Sequence, residues 1–264
     1  MNRGKDFSLI IGIVVGIILV IFSIGVGDLR HFLNISSAVV VIGGTLAALS
    51  ASVPFRFLKQ VPKQLVIAIQ DVPMDPYAYI DELVEIAHKA RKEGLLSLED
   101  RVREQEDIFM RNCLLLLLDA VSSDKARHIM ESEVEHLDDR HQDAITFFEK
   151  GAAYAPAFGL VGTLIGLILM LASLDLDSTD GVATLTNGMA VALITTFYGC
   201  LLGNLIFAPI ASKLTTKNSK EMLCKRIIVE GVLSIQAGEN PKFIREVLVS
   251  YLPYLSRKEE DKKI

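Results

Sequence analysis

The sequence predicts an all-α, polytopic membrane protein with four transmembrane helices, two of them extended into the cytoplasm, plus a cytoplasmic helical domain. Three observations predict this. Four stretches, Phe7–Gly27, His31–Phe55, Gly151–Leu174 and Gly181–Ser212, contain no Asp, Glu, Lys or Arg. Each exceeds the roughly 20 residues that about 30 Å of hydrocarbon requires. The charges concentrate instead in 56–150 and 213–263. A composition 51 % apolar and 22 % charged, with a mean hydropathy of +0.40, is too apolar for an ordinary soluble domain and too charged for a wholly embedded one.

The organisation follows in chain order. Residues 1–55 hold transmembrane helices 1 and 2 (about 7–27 and 34–53), and 56–150 form the cytoplasmic helical domain. Residues 151–212 hold transmembrane helices 3 and 4 (about 152–174 and 182–211), and 213–264 form a cytoplasmic C-terminal helical segment. The N-terminus has a basic lead, Arg3 and Lys5, before its apolar run, but no small-residue cleavage site precedes Asp28. It reads as a retained first span rather than a signal peptide. Arg3 and Lys5 precede span 1; Arg56, Lys59 and Lys63 follow span 2; Lys150 precedes span 3; Lys213 and Lys217 follow span 4. The loop Asp28–Asn34 has one Arg, and Asp175–Asp180 has three Asp and no Lys or Arg. The positive-inside rule places both termini in the cytoplasm of a multi-pass inner-membrane protein.

The cytoplasmic segment reads as helices. Asp75-Pro76 is an N-cap followed by proline at the first helical position, and that helix runs to Gly94 with Glu85 and Lys89 as an i,i+4 pair. Ser97-Leu98-Glu99-Asp100 resembles a capping box that starts the next piece. Five leucines follow Cys113, too few to span a membrane, so they belong to a helical-bundle core. From Asp124 no breaker occurs before Pro156, so one helix of about 50 residues and about 75 Å continues into span 3. Span 4 likewise runs past Pro209 to about Gly238, and Asn240-Pro241 starts a terminal helix to Tyr251. The charged tail 256–263 reads as frayed.

Several functions are excluded. The net charge of −5 averages over mixed-sign helices without a basic stripe, so nucleic acid is not a partner. Cys113, Cys200 and Cys224 lack metal or redox spacing, which fits a reduced compartment. His136 and His141, near Asp138 and Asp139, read as a solvated face, so no metal site is expected. There is no Ser-His-Asp arrangement, phosphate loop, dinucleotide fingerprint or HExxH motif, so the chain is not expected to be an enzyme and needs no covalent cofactor.

Two small-residue faces remain. Pro156, Gly159, Thr163 and Gly166 lie on one face of span 3, and Met189, Ala192, Thr196, Gly199 and Gly203 on one face of span 4, with Thr195 beside it. The plain reading is close helix packing. The sharper one is a cavity for a partner's helix, with threonine hydroxyls and a proline-freed carbonyl near a passing ion. Proteins that move ions place an ionisable group at mid-membrane. The four stretches here have no acid, so an ion-moving assembly would need a carboxylate from another chain. Pro156 and Pro209 read as kinks or, if the faces line a path, as gating hinges. The charge-dense stretch from His88 to Glu106 reads as a solvated surface or as a docking face for a charged partner.

Four motifs carry a family resemblance. They are Ala90-Arg91-Lys92-Glu93-Gly94-Leu95-Leu96-Ser97-Leu98-Glu99; Tyr154-Ala155-Pro156-Ala157-Phe158-Gly159 with Gly162-Thr163; the stretch from Met189 through Thr195-Thr196 to Gly199; and Glu230-Gly231 through Gln236 to Gly238-Glu239-Asn240-Pro241. In this order, on a four-span layout, the chain resembles the A subunit of the flagellar motor stator, the MotA/PomA family, over essentially its whole length. The resemblance implies an ion channel that converts ion-motive force into torque on the rotor. It implies a homo-pentamer of A subunits in the lipid bilayer around B subunits of the MotB/PomB kind, which supply the essential Asp. It implies contact with the rotor switch protein FliG through Arg91, Lys92, Glu99 and Asp100, and an ion pathway at Pro156, Thr163, Thr195 and Thr196. Pro156 and Pro209 match the family's two prolines. The threonines tilt the expected ion towards Na⁺ over H⁺. The TolQ/ExbB energisers of outer-membrane processes are the alternative; three spans and no Arg-Lys-Glu-Gly loop are expected of them.

Overall fold

The structure, a computed structural model, describes residues 7–70, 74–172 and 181–253. The expectations for Arg3 and Lys5, for the Asp175–Asp180 loop and for the tail 256–263 lie outside the described residues. Every element among those described is helical: α1 (Ser8–Ile24), α2 (Ile35–Ser52), α3 (Val61–Ile69), α4 (Pro76–Glu93), α5 (Ile108–Leu118), α6 (Ser123–Ala172), α7 (residues 181–236) and α8 (Pro241–Ser250), with short helical turns between. α2, α6 and α7 are long and apolar enough to cross a membrane, whereas α1 is apolar but has only 17 residues. That length sits at the bottom of the range of about 17–25 residues for a span. The fold class is therefore as predicted, with three spans by length and α1 as the shorter fourth candidate.

Local chemistry explains the helix starts. Asn34 accepts from the Ser37 amide at the head of α2, Asp75 from the Tyr77 amide at α4, Asp107 from the Met110 amide at α5, and Asn240 from the Lys242 amide at α8. α4 ends where Gly94 takes a φ of +85°, a backbone that disfavours any side chain. The capping box expected at Ser97 does not form. The Ser97 hydroxyl donates back to the Gly94 carbonyl at 2.7 Å, because Leu95–Leu98 is already a tight helical turn that runs into Glu99–Arg103. An N-cap residue must leave helical φ/ψ, and this turn does not. Nor does Glu85 close an ion pair with Lys89 among the described residues.

The long helices meet their prolines in different ways. α6 is unbroken through Pro156. α7 instead contains a π-helical stretch, Leu202–Phe207, immediately before Pro209. Proline cannot donate to the carbonyl four residues earlier and crowds it, and a wider turn absorbs that misfit.

The chain forms two compact units, Met1–Val72 with Gln142–Thr215, and Pro73–His141 with Thr216–Ile264. Residues 56–70 and 142–150 thus cluster with the spans. In the first unit, Leu49, Ala68, Ile145, Phe147, Phe148, Phe207 and Ile210 form a core. The Tyr198 hydroxyl donates to the Phe32 carbonyl and accepts from the Asn34 amide at 3.3 Å, tying α7 to the start of α2. Long apolar side chains of α1, α2 and the outer face of α6, such as Phe22, Leu46, Leu164 and Ile168, are exposed, as a bilayer demands.

The second unit is built like a soluble bundle. Ile80 and Leu83 of α4, Met110 and Leu114 of α5, Ile227 and Ile228 of α7, and Ile244 and Leu248 of α8 are all fully buried. The leucine run after Cys113 sits in this core, as its length predicts.

Candidate functional site

The small-residue faces of α6 and α7 close on each other. A Cβ added to Gly159 would stand 3.0 Å from the Thr195 carbonyl, one on Gly166 2.7 Å from the Gly188 carbonyl, and one on Gly199 2.6 Å from the Ala155 carbonyl. Backbone therefore meets backbone along this seam, the arrangement small residues permit between membrane helices. For the glycines the plain packing reading holds. Gly203 faces the Ala152 carbonyl, 2.8 Å from where its Cβ would stand. That carbonyl is the one Pro156 deprives of its helical donor. The proline-freed oxygen is thus turned to α7 of its own chain.

The threonines separate into two kinds. Thr195 is fully buried under Gly162, and its hydroxyl reaches the Val191 and Ala192 carbonyls at 2.9 and 3.0 Å. Thr163 and Thr196 lie at the rim, hydroxyl to hydroxyl at 2.5 Å. Thr163 also reaches the Gly159 and Ala192 carbonyls at 3.1 and 3.0 Å, and Thr196 reaches Ala192 at 3.3 Å. Three hydroxyls thus converge on the Ala192 oxygen. A carbonyl has two lone pairs, and the Thr196 amide in the helix ladder takes one of them, so only one of the three hydroxyls can donate to it at once. The other two must turn elsewhere, and Thr163, Thr196 and Ala192 together form a compact, rearrangeable cluster of oxygens.

Sequence spacing rotates two positions of this seam by one residue: Thr195, not Thr196, is the buried threonine, and Gly188, not Met189, packs on α6. The spacing groups Met189 with Ala192, Gly199 and Gly203, yet Met189 is 53 % exposed, and Gly188 takes the contact with Gly166 and Met170. A face of Gly188, Ala192, Thr195, Gly199 and Gly203, at spacings of four and three, contains the signal. A helix face is wide enough that a one-residue rotation fits the same pattern.

The charged loop is in the second unit. Arg91 and Lys92 are exposed in the last turn of α4, and Glu99 and Asp100 are exposed at the first turn of the next short helix. Both placements suit the helix dipole. Glu99 accepts from Arg103 at 2.6 Å, while Arg101 is held by Glu82 at 2.9 Å. Leu96, between the two charge pairs, is 81 % exposed.

One polar cluster was missed altogether. Lys225, only 7 % exposed, donates to both Asp107 oxygens at 3.2 Å and lies 4.7 Å above the Phe109 ring centroid. The Tyr79 hydroxyl donates to Asp107 at 2.8 Å. Burial pushes the Asp107 pKa up, but the Met110 amide, Tyr79 and Lys225 outweigh it and hold the carboxyl below its ordinary value. Burial likewise pushes the Cys113 and Cys224 thiols up, to about 12 and about 11, which keeps both unreactive. The cap signal Asp107-Ile108 was available in the sequence; its buried lysine partner, 118 residues away, was not. His141 bonds the Asn218 side chain at 2.8 Å, and among the described residues no three metal-ligating side chains gather.

The MotA/TolQ/ExbB proton channel family matches residues 101–227. The chain is 38 % identical to the uncharacterized protein YtxD of Bacillus subtilis (strain 168), over 93 % of this chain and 90 % of that one. It is 35 % identical to Motility protein A of Treponema pallidum (strain Nichols), over 96 % of both. The flagellar MotAB stator complex from Bacillus subtilis contains a chain of similar fold, with a TM-score of 0.80 and 32 % identity over 93 % of this chain and 97 % of that one.

Proposed function

The chain belongs to the MotA/TolQ/ExbB proton channel family, and we propose that it is the A subunit of a bacterial flagellar stator. In this reading it is not an enzyme: with a B subunit it forms an ion channel that converts ion-motive force into torque. The observation that carries the reading is the likeness to a flagellar stator chain over nearly the full length of both. The uncharged spans support it, since the carboxylate such a channel needs would come from the B subunit.

The finer assignments are part of the same proposal. The chain sits in the bacterial inner membrane with both termini in the cytoplasm, and α1 completes four spans. Several copies, five by the resemblance, surround the B subunits. Arg91, Lys92, Glu99 and Asp100 meet the rotor protein FliG. Thr163 and Thr196 present their hydroxyls to the ion, Thr195 holds the shared Ala192 carbonyl in place, and Pro156 sets the seam beside them. Pro156 and Pro209, the latter with its π-helical stretch, act as hinges. The oxygen cluster favours Na⁺ over H⁺, because a bare cation needs oxygen ligands and a carboxylate-borne proton does not.

The test is the swimming speed of a strain whose only stator is this subunit with its native partner. External Na⁺ is varied at fixed ionic strength and pH, and a protonophore is then added. Speed that follows Na⁺ and survives the protonophore is expected. Speed indifferent to Na⁺ and abolished by the protonophore overturns the ion assignment. Absence of swimming under every condition, with the complex assembled, overturns the stator reading.

A further inference from the structure

In the first unit, the apolar stretch of α2 ends at Ser52 and the chain turns through Phe55–Leu58. α6 passes this turn at residues 143–150, just before its own uncharged stretch begins at Gly151. Between them lies a cavity of about 480 Å³. Arg56 and Lys150 line it from two separate elements, and among the described residues neither closes an ion pair. Asp143 is the acid in the lining, so the cations outnumber it two to one. The rest of the wall is mixed: the rings of Phe57 and Phe147 stand 5.7 Å apart, Val53 and Pro54 add apolar surface, and Ser52, Gln60 and Thr146 are polar.

Each side of this arrangement selects something. Two cations on different helices fit a phosphodiester. Ser52, Thr146 and Gln60 can hydrogen-bond a polar headgroup, and the Phe57 and Phe147 rings offer the apolar surface that acyl chains need and a small soluble anion does not. The cavity also lies where both spans change from uncharged to charged sequence, the depth of lipid headgroups. We propose that this cavity binds an anionic phospholipid, with its phosphodiester between Arg56 and Lys150 and its acyl chains leaving along Phe57 and Phe147. The proposal rests on α2 and α6 being membrane spans and not on torque generation, so its test reads binding and not swimming.

The full-length protein with its native partner is placed in nanodiscs of phosphatidylcholine with phosphatidylglycerol bearing a photoreactive headgroup, and the labelled peptides are mapped. Labelling should concentrate in residues 52–60 and 143–150. Unlabelled phosphatidylglycerol should compete, and phosphatidylcholine and inorganic phosphate should not. Arg56→Gln and Lys150→Gln should each lower labelling about fivefold, while Arg56→Lys and Lys150→Arg should retain it. Lys63→Gln, outside the cavity, should change nothing. Competition by inorganic phosphate would make this a soluble-anion site and overturn the lipid assignment. An equal loss with Lys63→Gln would reduce the effect to diffuse attraction, and absence of labelling in the assembled complex would mean another subunit covers the cavity; either overturns the proposal.

Discussion

The α6–α7 seam and the core of the second unit solve the same problem, holding two long helices in place, with opposite materials. The seam is glycine against backbone, with Gly159, Gly166, Gly199 and Gly203 each facing a carbonyl. The second core is large and apolar, with Leu83, Met110, Leu114, Ile227 and Leu248 fully buried. The solvent explains the difference. In water, removing apolar area stabilises by roughly 25 cal/mol per Å². Lipid tails are as apolar as leucine, so helices in a bilayer gain from close approach instead. A single glycine in each region makes the contrast local. Gly231 of the second unit is a socket for the Leu83 methyls, which can turn aside, whereas Gly199 faces the Ala155 carbonyl and the Cα atoms of Gly159 and Pro156, which cannot.

The largest effect should come from breaking the seam. Gly199→Val places a branched side chain where even a Cβ stands 2.6 Å from backbone oxygen. Overpacking of this kind costs about 3 kcal/mol, and with rigid neighbours no rotamer relieves it. The expected outcome is loss of assembled complex in size-exclusion chromatography, with swimming abolished. Gly12→Val, at a position with nothing within 4 Å, is the matched control and should assemble normally. Normal assembly of both would refute close approach as the basis of the seam.

Next in size is the buried ion pair of the second unit, set at the edge of its apolar core. Lys225→Ala leaves Asp107 buried without its cation. Removing one partner of a buried pair costs about 3–5 kcal/mol, and the lower figure is expected here because the Met110 amide and Tyr79 still serve the carboxylate. Denaturant unfolding of the purified protein measures it. Asp107→Asn combined with Lys225→Met should recover much of the loss, because no unpaired charge is left behind.

A smaller, pH-dependent effect has the same origin. The Asp107 carboxyl in the folded protein sits below its unfolded value of about 3.9. Its contribution is therefore complete above that value and is lost as pH falls through the lower folded pKa. Deleting Lys225 raises the folded pKa, since burial then meets less opposition, so the acid-unfolding midpoint should move to higher pH. Circular dichroism during acid titration reads this; a midpoint unchanged in Lys225→Ala would mean that the lysine does not set the Asp107 ionisation.

What was legible in the sequence follows this division between local and distant causes. The all-helical class, the Asp75 and Asn240 caps and the unbroken run through Pro156 into the third uncharged stretch are local, and they read correctly. The seam was legible as two small-residue faces, but Met189 and Gly188 exchanged places because the sequence does not fix helix rotation. The Ser97 cap failed because the Gly94 turn kept that segment helical, a conformation the motif does not reveal. The Lys225–Asp107 pair and the Tyr198 tie join residues more than a hundred positions apart, and one sequence holds no signal for such pairing.

The threonines test whether the seam does more than pack. Thr163→Val is nearly isosteric and keeps the helix contact, so its stability cost should be about 1 kcal/mol, that of one neutral hydrogen bond. Thr196→Val should cost less, since that residue is exposed. Under the proposed function both should lower swimming speed at limiting Na⁺ more than at saturating Na⁺. Thr195→Val should act chiefly on assembly, because its hydroxyl is buried on carbonyls of its own helix. A uniform drop at all Na⁺ concentrations in all three variants would return the threonines to packing alone.

The smallest effect on stability should fall on the charged loop, and that is what makes the loop informative. Glu99 and Arg103 are 59 % and 72 % exposed, and an exposed i,i+4 pair contributes about 0.3–0.5 kcal/mol before screening by salt. Glu99→Lys should therefore leave the unfolding midpoint nearly unchanged, and Arg91→Glu, at an exposed helix end, should do the same. If these side chains meet a charged partner, swimming should nevertheless fall sharply in each, because charge complementarity governs register and association rate. Arg103→Ala separates the two causes. It frees Glu99 without reversing any charge at the proposed contact, so it should leave swimming closer to normal than Glu99→Lys does. Equal loss from Arg103→Ala and Glu99→Lys would place the effect in the local ion pair, and full swimming in Glu99→Lys and Arg91→Glu would remove this loop from the rotor contact.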